Sequence, residues 1–166
     1  MPIQSKPDTL YPNSVASHLV DYLRGRMDAK VEHYGSDLFF EEDGIHVHPD
    51  VMNATGVFVN ARAPITQDAR RGNVVNQRWR GRVRVTHHNP TNEVEQHHEG
   101  LVYTQRAIAL LQGYRVPHEN VKGVDGGPRL IDTDDAEQLI NTPNFAAYEF
   151  DFSLEVAHDL EGDLSS

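Results

Sequence analysis

Four arginines in the middle of the chain alternate with apolar or small residues, and guanidinium groups in such a row can bind an anion. The segment is Arg78-Trp79-Arg80-Gly81-Arg82-Val83-Arg84-Val85. Successive side chains of a strand point to opposite faces, so a strand here places the four arginines on one face and Trp79, Val83 and Val85 on the other. Like charges on neighbouring positions destabilise a sheet. The row therefore requires anionic groups beside it.

A second alternating segment, residues 147–157, carries such anionic groups. Its apolar face consists of Tyr148, Phe150, Phe152, Leu154 and Val156, and its acidic face consists of Glu149, Asp151 and Glu155. The two segments predict a charge-matched contact, either within one subunit or between subunits. We assign the candidate subunit or partner interface to Arg70, Arg71, Arg78, Arg80, Arg82, Arg84, Glu149, Asp151 and Glu155.

Ten histidines offer a different chemistry, the binding of a divalent metal. His46 and His48 would lie on one face of a strand, and imidazole suits zinc, iron or nickel. The residues after His48 lack the glutamate of a cupin-type site, and the adjacent His97 and His98 would diverge by about 100° on a helix. Further candidate ligands are His87, His88 and Glu99. The pattern favours hydrogen-bonded histidines over a metal site, and we expect no metal and no cofactor.

Other catalytic signatures are absent from the sequence. There is no G-x-S-x-G, no Walker A motif and no H-E-x-x-H. There is also no cysteine, which excludes disulfides, thiolate ligands and cysteine nucleophiles. The sequence therefore predicts a protein that is not an enzyme and has no catalytic residues.

Charge is unevenly distributed along the 166 residues, whose formal net charge is −10. Arginines are concentrated in the middle, and no lysine or arginine follows Arg129. The acidic excess argues against a free nucleic-acid binder, whereas the separation of the charges favours head-to-tail contact between subunits. Met1–Thr9 does not resemble a signal peptide, and no apolar run approaches the roughly 20 residues that span a bilayer. We expect no membrane partner.

The helices and strands that must position these residues can be predicted from the spacing of apolar residues and from residues that begin or end a helix. Ser14 is a candidate N-cap for a helix over Val15–Met27, and the spacing of Asn92 and Glu95 predicts a capping box that opens a helix reaching Gln112. We expect Gly113 to end this second helix and Val94, Leu101, Ile108 and Leu111 to form its buried face.

Strands are predicted at Val31–Tyr34, Val57–Ala63, Arg78–His87 and Ala147–Ala157. Pro64–Gln77 lacks periodicity and is predicted to be a long exposed loop, and a short helical turn is expected near Asp134–Ile140. The fold class is α+β: a mostly antiparallel β-sheet with two amphipathic helices packed on one face. Residues 14–157 would form a single domain, preceded by an extended arm (1–13) and followed by an acidic tail (158–166).

This order of elements resembles that of phage tail terminator (tail completion) proteins. The resemblance covers roughly residues 14–157. The stretches that carry it are Val15–Met27, Val57–Ala63, Arg78–His87, Asn92–Gln112 and Tyr148–Val156. The segments 35–55 and 115–145 are longer than in the simplest members, which leaves the type of tail open.

The resemblance implies a homo-hexameric ring at the tail–neck junction of the virion. Such a ring caps the tail tube, halts its polymerisation and offers a surface to the neck or connector protein, with DNA only as passing cargo and no catalytic residues. One alternative is another neck, head–tail connector or baseplate subunit. An alternative of another class is a small histidine-dependent metal-binding protein or metalloenzyme.

Overall fold

The computed structural model describes residues 12–33, 55–71, 74–88, 92–117, 124–126, 129–141 and 146–159. Within these residues the chain forms two helices and seven strands. Their bounds are α1 (Pro12–Arg24), β1 (Lys30–His33), β2 (Gly56–Arg71), β3 (Val74–His87), α2 (Glu93–Leu111), β4 (Val124–Gly126), β5 (Asp132–Thr133), β6 (Glu137–Asn141) and β7 (Ala146–Asp159). No helix in this part of the chain is long and apolar enough to cross a membrane.

The strands form one sheet in which β2, β3 and β7 are the long central members. β1 runs parallel to β2, and every other pair is antiparallel. The order is β1-β2-β3-β7, and the short strands β4, β5 and β6 each pair with β7 on its far side. One edge of the sheet therefore belongs to β1 and β2, and the opposite edge to β4, β5 and β6.

The period-two alternation of β3 and β7 divides the sheet into an apolar face and a charged face, as predicted. The buried residues of the two strands include Trp79, Val83, Val85, Tyr148, Phe150, Phe152, Leu154 and Val156. Gly81 faces Phe152 across the strand pair, and a Cβ atom at position 81 would overlap the ring of Phe152. The glycine in the arginine segment thus makes room for an aromatic side chain on the apolar face.

Both helices pack on this apolar face, which confirms the α+β class. Helix α1 buries Val15, Ala16, Leu19, Val20 and Leu23 against the sheet. It begins at Pro12 instead of following a Ser14 cap, and proline at a first helical turn leaves no hydrogen bond unmade. The helices also meet each other, because the Tyr22 hydroxyl of α1 donates to the Leu110 carbonyl of α2 at 3.2 Å. The Tyr22 ring also stacks on Tyr114, just after α2, with centroids 3.9 Å apart.

Helix α2 begins and ends where predicted, but its buried face differs from the prediction. The Asn92 side chain accepts hydrogen bonds from the backbone N–H groups of Val94 and Glu95, and Gly113 follows the helix with φ 76°. Val94 and Leu101, expected in the core, are 76% and 43% exposed, and the buried residues are Gln96, Gly100, Thr104, Ala107 and Leu111.

Close approach of α2 to the sheet explains why small residues of the helix are buried while Val94 and Leu101 are exposed. A Cβ atom at Gly100 would meet the ring of Tyr148, so only a residue without a side chain lets α2 lie at this distance. Thr104 satisfies its buried hydroxyl by donating to the Gly100 carbonyl at 2.8 Å. Small residues therefore occupy the contact around Gly100 and Thr104, and Val94 and Leu101 remain outside it.

Two segments that lacked strand periodicity are nevertheless strands. The predicted loop Pro64–Gln77 is wrong: β2 extends to Arg71 and β3 begins at Val74, so most of the segment is a β-hairpin. Register shifts between Arg62 and Thr66 and between Gln67 and Arg70 interrupt the alternation that identifies a strand. The helical turn expected near Asp134–Ile140 is also wrong, because β6 pairs with β7 there.

Candidate interaction surface

The charged face of the sheet carries a ladder of ion pairs between β3 and β7. The register places Arg78 opposite Glu155, Arg82 opposite Asp151 and Arg84 opposite Glu149. Arg80 lies opposite Ser153, so this arginine has no carboxylate across the strand pair. The predicted matching of the two rows is thus present within one chain.

The ladder is most buried at its inner end. The Arg84 Nε donates to Glu149 Oε2 at 3.0 Å, and these two side chains are 6% and 15% exposed. The Arg82 Nε lies 2.9 Å from Asp151 Oδ1 and 3.5 Å from Glu149 Oε2. Glu149 therefore contacts two guanidinium groups. The region excludes most water, so the attraction between these charges is less screened than at the surface.

The ladder opens to solvent at its outer end. Arg78 lies 3.8 Å from Glu155 and donates to the Ser153 hydroxyl at 3.0 Å. Arg80 reaches in the other direction and donates to the Pro64 carbonyl on β2 at 3.0 Å. These exposed contacts align the strands but contribute little stability, because solvent and salt screen them.

The structure adds residues to this surface that were not predicted to belong to the interface. Arg62 on β2 lies 3.6 Å from Asp151, which extends the basic row to a second strand. The connection from β5 to the start of β6 carries three more acidic residues, Asp134, Asp135 and Glu137. No alternation marks these four residues, because β2 is interrupted by register shifts and β5 and β6 are short.

Arg70 and Arg71 lie apart from the ladder, at the end of the β2–β3 hairpin. Arg70 pairs with Val75 and Arg71 with Val74, the last pairs between β2 and β3 in the described part of the chain. The predicted site residues therefore form two groups: the ladder across β3 and β7, and two arginines at the hairpin end. Their role in a contact between subunits stays a prediction.

Charge is sorted by strand among β2, β3, β7 and the segment of β5 and β6, whereas the short edge strand β1 carries one lysine and one glutamate. β2 carries three arginines and one aspartate, and β3 carries four arginines and no acidic residue. β7 carries four carboxylates and no lysine or arginine, and residues 132–141 carry four more, again with no lysine or arginine. The sheet therefore has a basic half ending at β2 and an acidic half ending at β5 and β6.

A cavity of about 460 Å³ opens in the acidic half of the sheet. Its lining includes Thr133, Phe150 and the guanidinium of Arg82. The other lining groups are five carboxylates, those of Asp134, Asp135, Glu137, Glu149 and Asp151. Arg82 already pairs with Glu149 and Asp151. The exposed side chains of Asp134, Asp135 and Glu137 form no ion pair with any residue that the structure describes, so the lining keeps a surplus of negative charge.

Histidines form hydrogen bonds that tie α2 to the sheet. His87 is buried on β3, where Nδ1 lies 2.7 Å from the Thr55 hydroxyl and Nε2 contacts the Glu99 carboxylate. His97 Nδ1 contacts the Tyr148 hydroxyl, and burial raises the pKa of this phenol to about 12. Within the part of the chain that the structure describes, no three histidine, aspartate or glutamate side chains are grouped to hold a metal ion. The candidate ligands His46 and His48 lie outside the described residues.

No protein-family model matches this chain, and no curated protein is found to be similar to it. The functional interpretation therefore depends on the chain's own geometry. Its dominant feature is a sheet with oppositely charged halves, which is suited to binding a charged partner along either edge.

Proposed function

We propose that the chain is a structural virion protein, a tail terminator-like subunit of a ring that caps the tail tube and joins it to the neck. The observation that carries the proposal is the sorting of charge by strand, with a basic edge at β2 and an acidic edge at β5 and β6. Such a sheet favours contact between unlike edges of neighbouring copies.

Contact between unlike edges is heterologous, and its geometry leads to a ring when the rotation closes. Two like edges would bring arginines against arginines or carboxylates against carboxylates, which is unfavourable. The charge pattern therefore opposes a twofold dimer through the sheet edges and supports a cyclic assembly. The order of elements supports the tail terminator-like role, since helix α1, the arginine strand β3, the capped helix α2 and the aromatic strand β7 follow one another as in that family's arrangement.

The proposed role needs no cofactor and no catalytic residue. The ring is expected to be homo-hexameric, to lie at the tail–neck junction, and to contact the tail tube protein on one side and a neck or connector protein on the other. A neck, connector or baseplate subunit would use the same edge chemistry with different partners, so the test has to include the tube.

Native mass spectrometry at low ionic strength, together with negative-stain electron microscopy, tests the assembly. We expect a closed ring that dissociates as the salt concentration rises, because exposed charge contacts are screened. Added to a polymerising tail tube protein, the ring should bind tube ends and shorten the tubes. A ring that leaves tube length unchanged would favour a connector or baseplate role, and a twofold dimer alone would contradict the proposal.

A further inference from the structure

We propose that Arg129 and Arg115 bind an oxyanion, the phosphate or carboxylate group of a ligand that the chain itself does not supply. Both arginines lie between α2 and β5 in the chain, outside the ion-pair ladder of β3 and β7. The proposed site goes beyond the proposed ring and does not depend on it.

Residues 113–116 and 129–131 form a short two-stranded ribbon that holds Arg129 in place. Val116 donates its backbone N–H to the Arg129 carbonyl at 3.0 Å, and Arg129 donates its own N–H to the Glu155 carbonyl on β7 at 2.9 Å. Arg115 lies opposite Leu130 in the same ribbon. Because Val116 is fully buried in the hydrophobic core, the ribbon brings Arg129 to the border of the apolar interior.

The charge of Arg129 is buried and is not balanced by any carboxylate that the structure describes. Only 7% of the residue is exposed, and its Nε donates to the Val116 carbonyl at 3.0 Å. Glu155 offers Arg129 only its backbone carbonyl, and its carboxylate lies 3.8 Å from Arg78. Arginine is almost never buried without a partner, because an uncompensated buried charge costs free energy. An external anion would supply the missing partner.

The backbone of Arg129 is also in an unfavourable conformation. Its φ of 50° lies in the left-handed region, and no other non-glycine residue in the described part of the chain has a positive φ. A residue with a Cβ atom adopts this conformation at a cost, and such strained residues are concentrated at binding and catalytic sites. Strain and an unbalanced buried charge thus coincide at one residue, whose side chain is well suited to binding an oxyanion.

Arg115 supplies a second positive charge to the site. Its side chain is exposed, and among the described residues no carboxylate pairs with it. Burial lowers the pKa of the Arg129 guanidinium, and the nearby charge of Arg115 lowers this pKa further. Guanidinium groups bind phosphate and carboxylate oxygens through paired hydrogen bonds in a fixed geometry. An oxyanion in contact with both arginines would therefore satisfy free donors and relieve the repulsion between the two cations.

Thermal unfolding of the full chain in different anions tests the site. Melting temperatures are measured at neutral pH in inorganic phosphate and in acetate, each compared with chloride at the same ionic strength. We expect a saturable rise of at least about 5 °C once the binding anion reaches about a hundred times its Kd. Saturation distinguishes binding from the general effect of salts on stability. A rise with phosphate indicates a phosphate group as the natural ligand, and a rise with acetate alone indicates a carboxylate.

Substitution of single arginines connects the rise to the site. Methionine keeps an unbranched, largely apolar side chain and removes the charge. Arg129→Met should abolish the saturable rise without lowering the melting temperature in chloride, because the unbalanced buried charge is gone. Arg115→Met should weaken anion binding by at least about tenfold, since one of the two guanidinium groups is lost. Arg106→Met is the matched control, because Arg106 is exposed on α2, and it should respond like the wild type.

A wild type that melts at the same temperature in phosphate, acetate and chloride would overturn the proposal. An equal saturable rise in Arg129→Met would also overturn it, because the anion would then bind elsewhere. If Arg129→Met does not fold, titration calorimetry with the anion that raised the melting temperature compares Arg115→Met with Arg106→Met. Weaker binding in Arg115→Met alone would support the site, and equal affinities would overturn it.

Discussion

The Arg84 guanidinium and the Glu149 carboxylate lie opposite each other on β3 and β7, 3.0 Å apart and almost completely removed from solvent. Sixty-five residues of chain separate the two groups. Their pairing ties the basic half of the sheet to the acidic half, and Arg82 shares the same carboxylate. The pair therefore stands at the boundary between the two charge regions on which the proposed function depends.

We expect Glu149→Gln to lower the free energy of unfolding by about 3 kcal/mol, because it removes the charge of a carboxylate that lies 3.0 Å from the buried Arg84 and 3.5 Å from Arg82. Glu155→Gln is the matched control. Its partner Arg78 is 36% exposed, so the loss should be at most about 1 kcal/mol. Urea unfolding at neutral pH measures both changes, and equal losses would contradict the difference in burial as the cause.

Arg82→Glu should lower the stability of the fold more than Arg80→Glu, although the two arginines belong to one row. At position 82 a third carboxylate would lie beside Asp151 and Glu149, and we expect a loss of at least about 3 kcal/mol. Within the described part of the chain, Arg80 donates to the Pro64 carbonyl and the Thr66 hydroxyl in exposed contacts and lies opposite Ser153, so its reversal should cost at most about 1 kcal/mol. Thermal unfolding of the two single variants distinguishes these outcomes, and similar melting temperatures would refute the expected difference.

Gly100→Ala should lower the free energy of unfolding by about 1–3 kcal/mol, because the added methyl group would collide with the buried ring of Tyr148 and push α2 from the sheet. Gly25→Ala is the control, since a Cβ atom there has no neighbour within 4 Å. This second change should be neutral or stabilising by up to about 1 kcal/mol. Chemical denaturation gives both values, and a neutral Gly100→Ala would show that α2 is not held as closely as the structure indicates.

The stability of the fold should fall as the pH rises above the ordinary pKa of tyrosine. Burial raises the pKa of Tyr148 from 10.0 to about 12, so the folded state favours the neutral phenol. The resulting stabilisation is complete below pH 10 and is lost as the pH rises towards 12, by up to about 2–3 kcal/mol. Tyr148→Phe should lose the hydrogen bond to His97 at all pH values but show a shallower decline above pH 10. Parallel slopes for the two proteins would contradict this assignment.

The strand faces were predictable because the alternation of side chains is a local property. The buried face of β7 and the outward direction of the β3 arginines both follow from a period of two, without knowledge of any partner. The Asn92 cap and the Gly113 terminus of α2 were predictable for the same reason, since each depends on the chemistry of one or two neighbouring residues.

The buried face of α2 could not be predicted in this way. The spacing of its apolar residues suggested a core face containing Val94 and Leu101, but both are exposed in the structure, where Gly100 sets a short distance between helix and sheet. That distance depends on Gly100 meeting Tyr148, 48 residues further along the chain. The hairpin end at Arg70 and Arg71 was missed because two register shifts remove the alternation.

By itself the sequence determined that a basic row and an acidic row exist, and which apolar residues lie behind them. Only the tertiary structure decided that Arg84 meets Glu149, that Arg80 has no acidic partner opposite it, and that basic and acidic groups end on opposite edges of one sheet. The physical reason is that side-chain alternation is set within a strand, whereas register and strand order depend on the packing of the whole sheet and its helices.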